Sequence, residues 1–234
     1  MNMNIARYNH DMLVREGTSD MQAVDEVFVK HNYRRRGFFV AAGEQWLDMG
    51  GHIGSFSVWA ARQGARVVAF EPDPDHYEML LKNTKGLFVE AHNFGLGVSD
   101  ETLRFFRNSA KGKTWRNTFK KEWRGGEEIT AQIRHYAPFI WDDVSIKMDI
   151  EGYELEILRD MLKTGAIKKV KKLVFEYTFD INTKVSDFME IIHGLRQYFD
   201  VEGVTENFLT KLQQHEHYPQ SWFPPCKVIY CKRK

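Results

Sequence analysis

Two groups of residues in this chain have the types and spacing for chemistry. The first is Gln45-Trp-Leu-Asp-Met-Gly-Gly-His-Ile-Gly-Ser55, answered by Phe70-Glu71-Pro72. It reads as a strand, a glycine turn, a helix start, a second strand and an acid. Gly50, Gly51 and Gly54 would let the backbone come close to a nucleotide-like ligand. Glu71, 17 residues beyond Gly54, could accept both hydroxyls of a ribose. The dinucleotide pattern G-x-G-x-x-G is missing; the form here is D-x-G-x-x-x-G. An acid at Asp48, two residues before the first glycine, would repel a pyrophosphate but suits a cofactor with an ammonium and a sulfonium. The reading is an S-adenosylmethionine site built from Asp48, Gly50, Gly51, His52, Gly54, Ser55, Glu71 and Pro72. A plain strand-turn-helix accounts equally well for the glycines alone; Glu71-Pro72 at the right place tips the balance. Asn93 follows the third strand, where it could bond adenine or simply form a turn. His52 reads as a loop residue near the methionyl tail rather than a base.

The second group is Ser145-Ile-Lys-Met-Asp-Ile-Glu-Gly-Tyr-Glu154. Its apolar strand delivers Asp149 and Glu151 to the carboxyl edge of a sheet, where ligands bind. Were the methyl acceptor a hydroxyl, a base would be needed, because a hydroxyl is a poor nucleophile near neutral pH. Asp149, beside the methyl end of the cofactor, is the leading candidate. Glu176, from a neighbouring strand end, could hold the acceptor hydroxyl. A divalent cation such as magnesium would also suit carboxylates here. Glu151 reads as a substrate contact or as an acid capping the helix start.

These motifs resemble the FkbM-type methyltransferases. That family carries a Lys-Ile-Asp-x-Glu-Gly-x-Glu block, matched by Lys147 to Glu154. It also carries a glycine motif like Leu47 to Gly54, an acid before proline like Glu71-Pro72, and a later strand ending like Leu173-Val-Phe-Glu176. The resemblance spans roughly residues 20–180. It implies a class I fold and S-adenosylmethionine-dependent O-methylation, often of a sugar or glycan. The chain departs from the family in a basic, tryptophan-bearing stretch at 108–128.

Elements must hold these groups in place. Strands are expected at Trp46-Leu47, 66–70, 87–91, 144–150, 172–179, 200–204 and 227–231, with helices at 55–63, 73–85, 153–163 and 183–199. This alternation predicts an α/β, Rossmann-like, doubly wound sheet of seven mostly parallel strands, helices on both faces. Gly64 should end the first of these helices, and Pro74 should open the second. Two short strands should flank Ser99-Asp100. Residues 1–40 are read as a helical extension, polar and loose to residue 19 with a helix after Thr18-Ser19-Asp20. Residues 41–234 are read as the methyltransferase domain. The 108–128 stretch is read as a loop over the acceptor, with Trp115, Arg116 and Asn117 as contacts; tryptophan faces stack on sugar rings. A solvated loop is the plainer alternative.

Bulk properties narrow the class. Net charge is +1 and 43% of residues are hydrophobic, which suits one α/β core and gives no field to recruit nucleic acid. No apolar run approaches the ~18 residues of a membrane span, and the N-terminus lacks a signal-peptide core. Cys226 and Cys231 would point to opposite faces of a strand, a poor disulfide, so a reduced, cytoplasmic setting is expected. Two other readings stand beside the glycan O-methyltransferase. The basic stretch and Arg34-Arg35-Arg36 suggest an RNA methyltransferase, against which stand the missing RNA-binding module and the near-zero charge. The other is a non-catalytic S-adenosylmethionine-binding subunit.

Overall fold

The computed structural model describes residues 4–106, 128–150, 152–179, 184–219 and 226–234. In chain order these hold β1 (Ile5–Tyr8), β2 (Met12–Arg15), α1 (Asp20–Phe28), β3 (Gln45–Met49), α2 (Ser55–Arg62), β4 (Arg66–Phe70), α3 (Pro74–Thr84) and β5 (Val89–His92). Then come β6 (Gly95–Gly97), β7 (Glu101–Phe106), β8 (Glu128–His135), β9 (Val144–Met148), α4 (Glu154–Thr164) and β10 (Val170–Thr178). Last are α5 (Val185–Arg196), β11 (Phe199–Glu202), α6 (Glu206–Leu212) and β12 (Cys226–Arg233).

The seven-stranded sheet runs β11-β12-β10-β9-β3-β4-β5. It is parallel except for β12, which is antiparallel to both neighbours. The expected Rossmann-like, doubly wound sheet is present. Its order reverses between β3 and β9, which opens a crevice at the carboxyl edge. Strand alternation sorts the core into two layers. Leu47, Ile146 and Phe175 pack against Ile157 and Leu158 of α4 and Phe188 and Ile192 of α5. On the opposite face Trp46, Val67, Val174 and Tyr230 pack against Phe56 and Trp59 of α2, with Val27, Tyr33, Phe38 and Val40.

Helix ends follow their local sequence. The Asp73 carboxylate accepts the Asp75 amide at 2.8 Å and Pro74 opens α3, as an N-cap requires. Gly64 follows α2 with φ +89°.

Three elements differ from expectation. Residues 4–18 are not loose: β1 and β2 pair as a hairpin. Met12 and Val14 are buried with Val24, Ile53 and Met79, and this apolar contact orders the segment. The buried Arg15 guanidinium ties the hairpin to α1, reaching Asp20 at 2.7 and 2.8 Å. A third strand, β8, joins the two short strands expected near Ser99, burying Ala131 and Ile133. The short helix α6 was not expected from periodicity; Thr205 caps it by accepting the Phe208 amide at 3.1 Å. Among the described residues, no helix is long and apolar enough to cross a membrane. Cys231 is buried and free.

Candidate active site

Sheet register decides which side chains meet at the crevice. Asp48 of β3 pairs with Lys147 of β9, and paired residues on parallel neighbours share a face. Asp149 comes two residues after Lys147 and continues that face. Phe175 of β10 pairs with Met148, which sets Glu176 level with Asp149. One face of the carboxyl edge therefore carries Asp48, Lys147, Asp149 and Glu176, in line with Trp46 and Val174.

Lys147 fastens β9 to the glycine turn. Its Nζ donates to the Gly50 carbonyl at 2.6 Å and lies 3.1 Å from Asp48 Oδ1. Ser57 Oγ donates to Asp48 Oδ2 at 2.6 Å. Burial works to lower the lysine pKa, but the charges of Asp48 and Asp149 outweigh it and hold the ammonium above its ordinary value. The sequence suggests an Asp48 carboxylate turned to a cationic cofactor; the structure engages both of its oxygens inside the protein. The cause is Lys147: a buried ammonium without a counter-ion would cost several kcal/mol, so the nearest carboxylate serves it.

The turn itself is shaped by protein contacts. Gly50 has φ +81°, and a Cβ there would stand 1.9 Å from the Asp149 carbonyl oxygen. A Cβ on Gly51 would meet Leu80 of α3 at 2.6 Å. Gly50 is thus demanded by the neighbouring backbone, whereas Gly51 meets only the end of the Leu80 side chain. Gly54, at φ +88°, starts α2 from a left-handed conformation that glycine adopts readily.

Glu71 is set at the end of β4. Its Oε2 accepts the His52 amide at 2.7 Å and its Oε1 accepts the Asp73 amide at 2.9 Å. Each oxygen keeps a lone pair for a further donor, which is what a ribose diol supplies. Asn93 Nδ2 donates to the Glu71 carbonyl at 2.9 Å, securing the strand end before Pro72.

Two orphaned polar groups border the turn. His52, at φ +49°, has both ring nitrogens buried without a hydrogen-bond partner, and so has the Ser55 Oγ. The His52 ring packs edge-on to His76 at 4.2 Å. Burial, then His76, pushes its pKa well below the ordinary value, which keeps it neutral. Polar atoms left without protein hydrogen-bond partners beside a carboxylate with spare capacity fit a polar, nucleoside-bearing ligand, although His52 Nε2 also lies 4.0 Å from Asp20.

Asp149 has a partner that the sequence did not reveal. Tyr33 donates its hydroxyl to Asp149 Oδ2 at 2.8 Å. Lys147 Nζ sits 5.6 Å from the centre of the same ring. Burial, then the charges of Asp149 and Glu176, pushes the Tyr33 phenol well above its ordinary range, so it is a donor and not a base. Glu176 is half-buried.

Glu154 opens α4 and binds the loop that leads into it. Its carboxylate accepts the Ile150 amide at 2.9 Å and the Gly152 amide at 3.0 Å. Burial raises its pKa to about 7. Glu151, Trp115, Arg116 and Asn117 lie outside the described residues. Among the described residues, no three His, Cys, Asp or Glu side chains cluster to hold a metal ion.

Comparison with known proteins places this geometry. Residues 48–204 match the model of the methyltransferase FkbM domain. Over 145 residues the chain is 26% identical to the hexuronic acid methyltransferase AglP of Haloferax volcanii, covering 58% of this chain and 57% of that protein. Over 87 residues it is 38% identical to the AMB antimetabolite synthetase AmbE of Pseudomonas aeruginosa, covering 35% of this chain and 4% of that one. The chain thus spans little more than half of one curated relative and a small part of the other. Among solved structures, the Methanococcus jannaschii fibrillarin pre-rRNA processing protein has a TM-score of 0.48 at 13% identity, covering 99% of this chain and 83% of its own. The precorrin-6y C5,15-methyltransferase of Geobacter metallireducens has a TM-score of 0.46 at 12% identity, covering 94% and 93%.

Proposed function

The chain belongs to the FkbM methyltransferase domain family, and we propose that it moves a methyl group from S-adenosylmethionine to a hydroxyl of a sugar or glycan. The observation that carries this reading is the pairing of two strand-end acids. Glu71 is held by two backbone amides beside the glycine turn, and Asp149 stands on the next-but-one strand against the same turn, its amide bonded to the Met49 carbonyl at 3.0 Å.

The cofactor supplies a methyl group already activated on a sulfonium. The chain supplies position and a proton acceptor. Glu71 accepts the ribose hydroxyls. His52 and Ser55 offer polar atoms to the amino-acid tail. Asp149 would take the proton of the acceptor hydroxyl as the O–C bond forms and the sulfonium S–C bond breaks to leave a thioether, and Glu176 would hold that acceptor from the adjacent strand. A sugar acceptor is supported by AglP, whose name gives a hexuronic acid as its substrate. A reducing, cytoplasmic setting suits the free thiol of Cys231.

The test is transfer from methyl-labelled S-adenosylmethionine to p-nitrophenyl glycosides of neutral sugars and of hexuronic acids, with total RNA in parallel. Label on a glycoside that survives mild alkali marks a methyl ether and supports the proposal. Label lost in alkali marks a carboxyl ester and contradicts hydroxyl transfer. Label in RNA alone overturns the sugar acceptor.

A further inference from the structure

We propose that Tyr33 is the positioning residue for Asp149, and that the segment between α1 and β3 is therefore a working part of the acceptor site. This rests on the proposed role of Asp149 as proton acceptor.

The segment is anchored at several points. The Tyr230 hydroxyl of β12 donates to the Asn32 carbonyl. Arg35 pairs with Glu202 at 3.0 Å. Phe38 meets Trp46 edge-on at 6.2 Å. These contacts fix the backbone on either side of Tyr33, and the ring is fixed by Phe56, edge-on at 5.5 Å. Tyr33 is only 6% exposed, so its hydroxyl must find a partner. It finds one in Asp149, although apolar neighbours alone would have been served by phenylalanine.

The consequence is geometric. A strand-end carboxylate on a short side chain can rotate about χ2, a broad torsion. The Tyr33 hydrogen bond takes Oδ2 and fixes that rotation, which leaves Oδ1 to receive the acceptor proton. The charged groups that face Asp149 are Lys147 from its own strand, Asp48 from β3, Glu154 from the start of α4 and Glu176 from β10. Tyr33 is the neutral donor that comes from outside the sheet.

The experiment compares the full chain with Tyr33→Phe and Asp149→Asn. The probe is the p-nitrophenyl glycoside with the highest turnover in the acceptor screen, and the carboxyl 13C resonance of Asp149 is followed in the absence of acceptor. Tyr33→Phe should fold normally and bind S-adenosylmethionine within about twofold of the parent. Losing one hydrogen bond to a charged group should lower kcat by about tenfold or more with little change in KM. The carboxyl 13C resonance of Asp149, read at one fixed pH, should move when the hydrogen bond is lost. Unchanged kcat and an unmoved 13C resonance in Tyr33→Phe, with Asp149→Asn inactive, would overturn the positioning role while leaving the base intact. Full activity in Asp149→Asn would instead overturn the base assignment itself.

Discussion

The Lys147 ammonium reaches from β9 to the Gly50 carbonyl at 2.6 Å, with Asp48 alongside at 3.1 Å. The lysine of the second motif therefore holds the glycine turn of the first. Lys147→Met should destabilise the fold by about 3–5 kcal/mol, because it leaves Asp48 buried without its counter-charge. Adding Asp48→Asn should recover a large part of that loss. Urea unfolding of both single variants and the double variant checks the coupling; additive losses would contradict it.

Gly50 makes a second prediction. Its φ is +81°, and a Cβ would overlap the Asp149 carbonyl oxygen at 1.9 Å. Gly50→Ala must push the β9 end away from the turn, at a cost of at least ~2 kcal/mol. Because the same shift moves Asp149, transfer should fall further than cofactor affinity. A Gly50→Ala protein with parental stability and turnover would show that the close approach is unimportant.

Glu154 gives a pH dependence of stability. Its folded pKa of about 7 lies above its ordinary value of 4.5, so the folded state binds the proton more tightly. Its contribution is fully present below pH 4.5 and is lost as pH rises through about 7. The difference has an upper size of about 3 kcal/mol. Glu154→Gln removes the titration and should flatten the stability curve between these pH values. Melting temperatures at half-unit pH steps test it, and parallel curves for parent and variant would refute it.

The central sheet was legible because its strands are covered on both faces. Arg66 to Phe70 is nearly all apolar, and Val144 to Met148 is buried along its whole length, with Lys147 admitted only through its pairing with Asp48. The N-terminal hairpin was not legible, since its turn has no glycine or proline. His10 and Asp11 take φ +60° and +56° instead, a conformation few side chains adopt. β8 escaped notice because only Ile129, Ala131 and Ile133 alternate inward, behind a basic stretch. The placement of Glu71 and Asp149 at their strand ends was readable from the motifs. Their partners were not: Tyr33 and Asp149 are 116 residues apart, and no local pattern encodes that contact. Asp48 was placed at the ligand because a sequence does not show which acid a buried lysine will claim.

The most direct measurement of the central claim is calorimetric titration of the full chain with S-adenosylmethionine, with Glu71→Ala alongside. Glu71 also holds the His52 and Asp73 amides, so the variant's folding must be verified by its melting curve. The parent should bind at a one-to-one ratio, and folded Glu71→Ala should lose at least about tenfold in affinity with both ribose contacts gone. A parent that binds no S-adenosylmethionine, or a folded Glu71→Ala that binds it as tightly, would contradict the account.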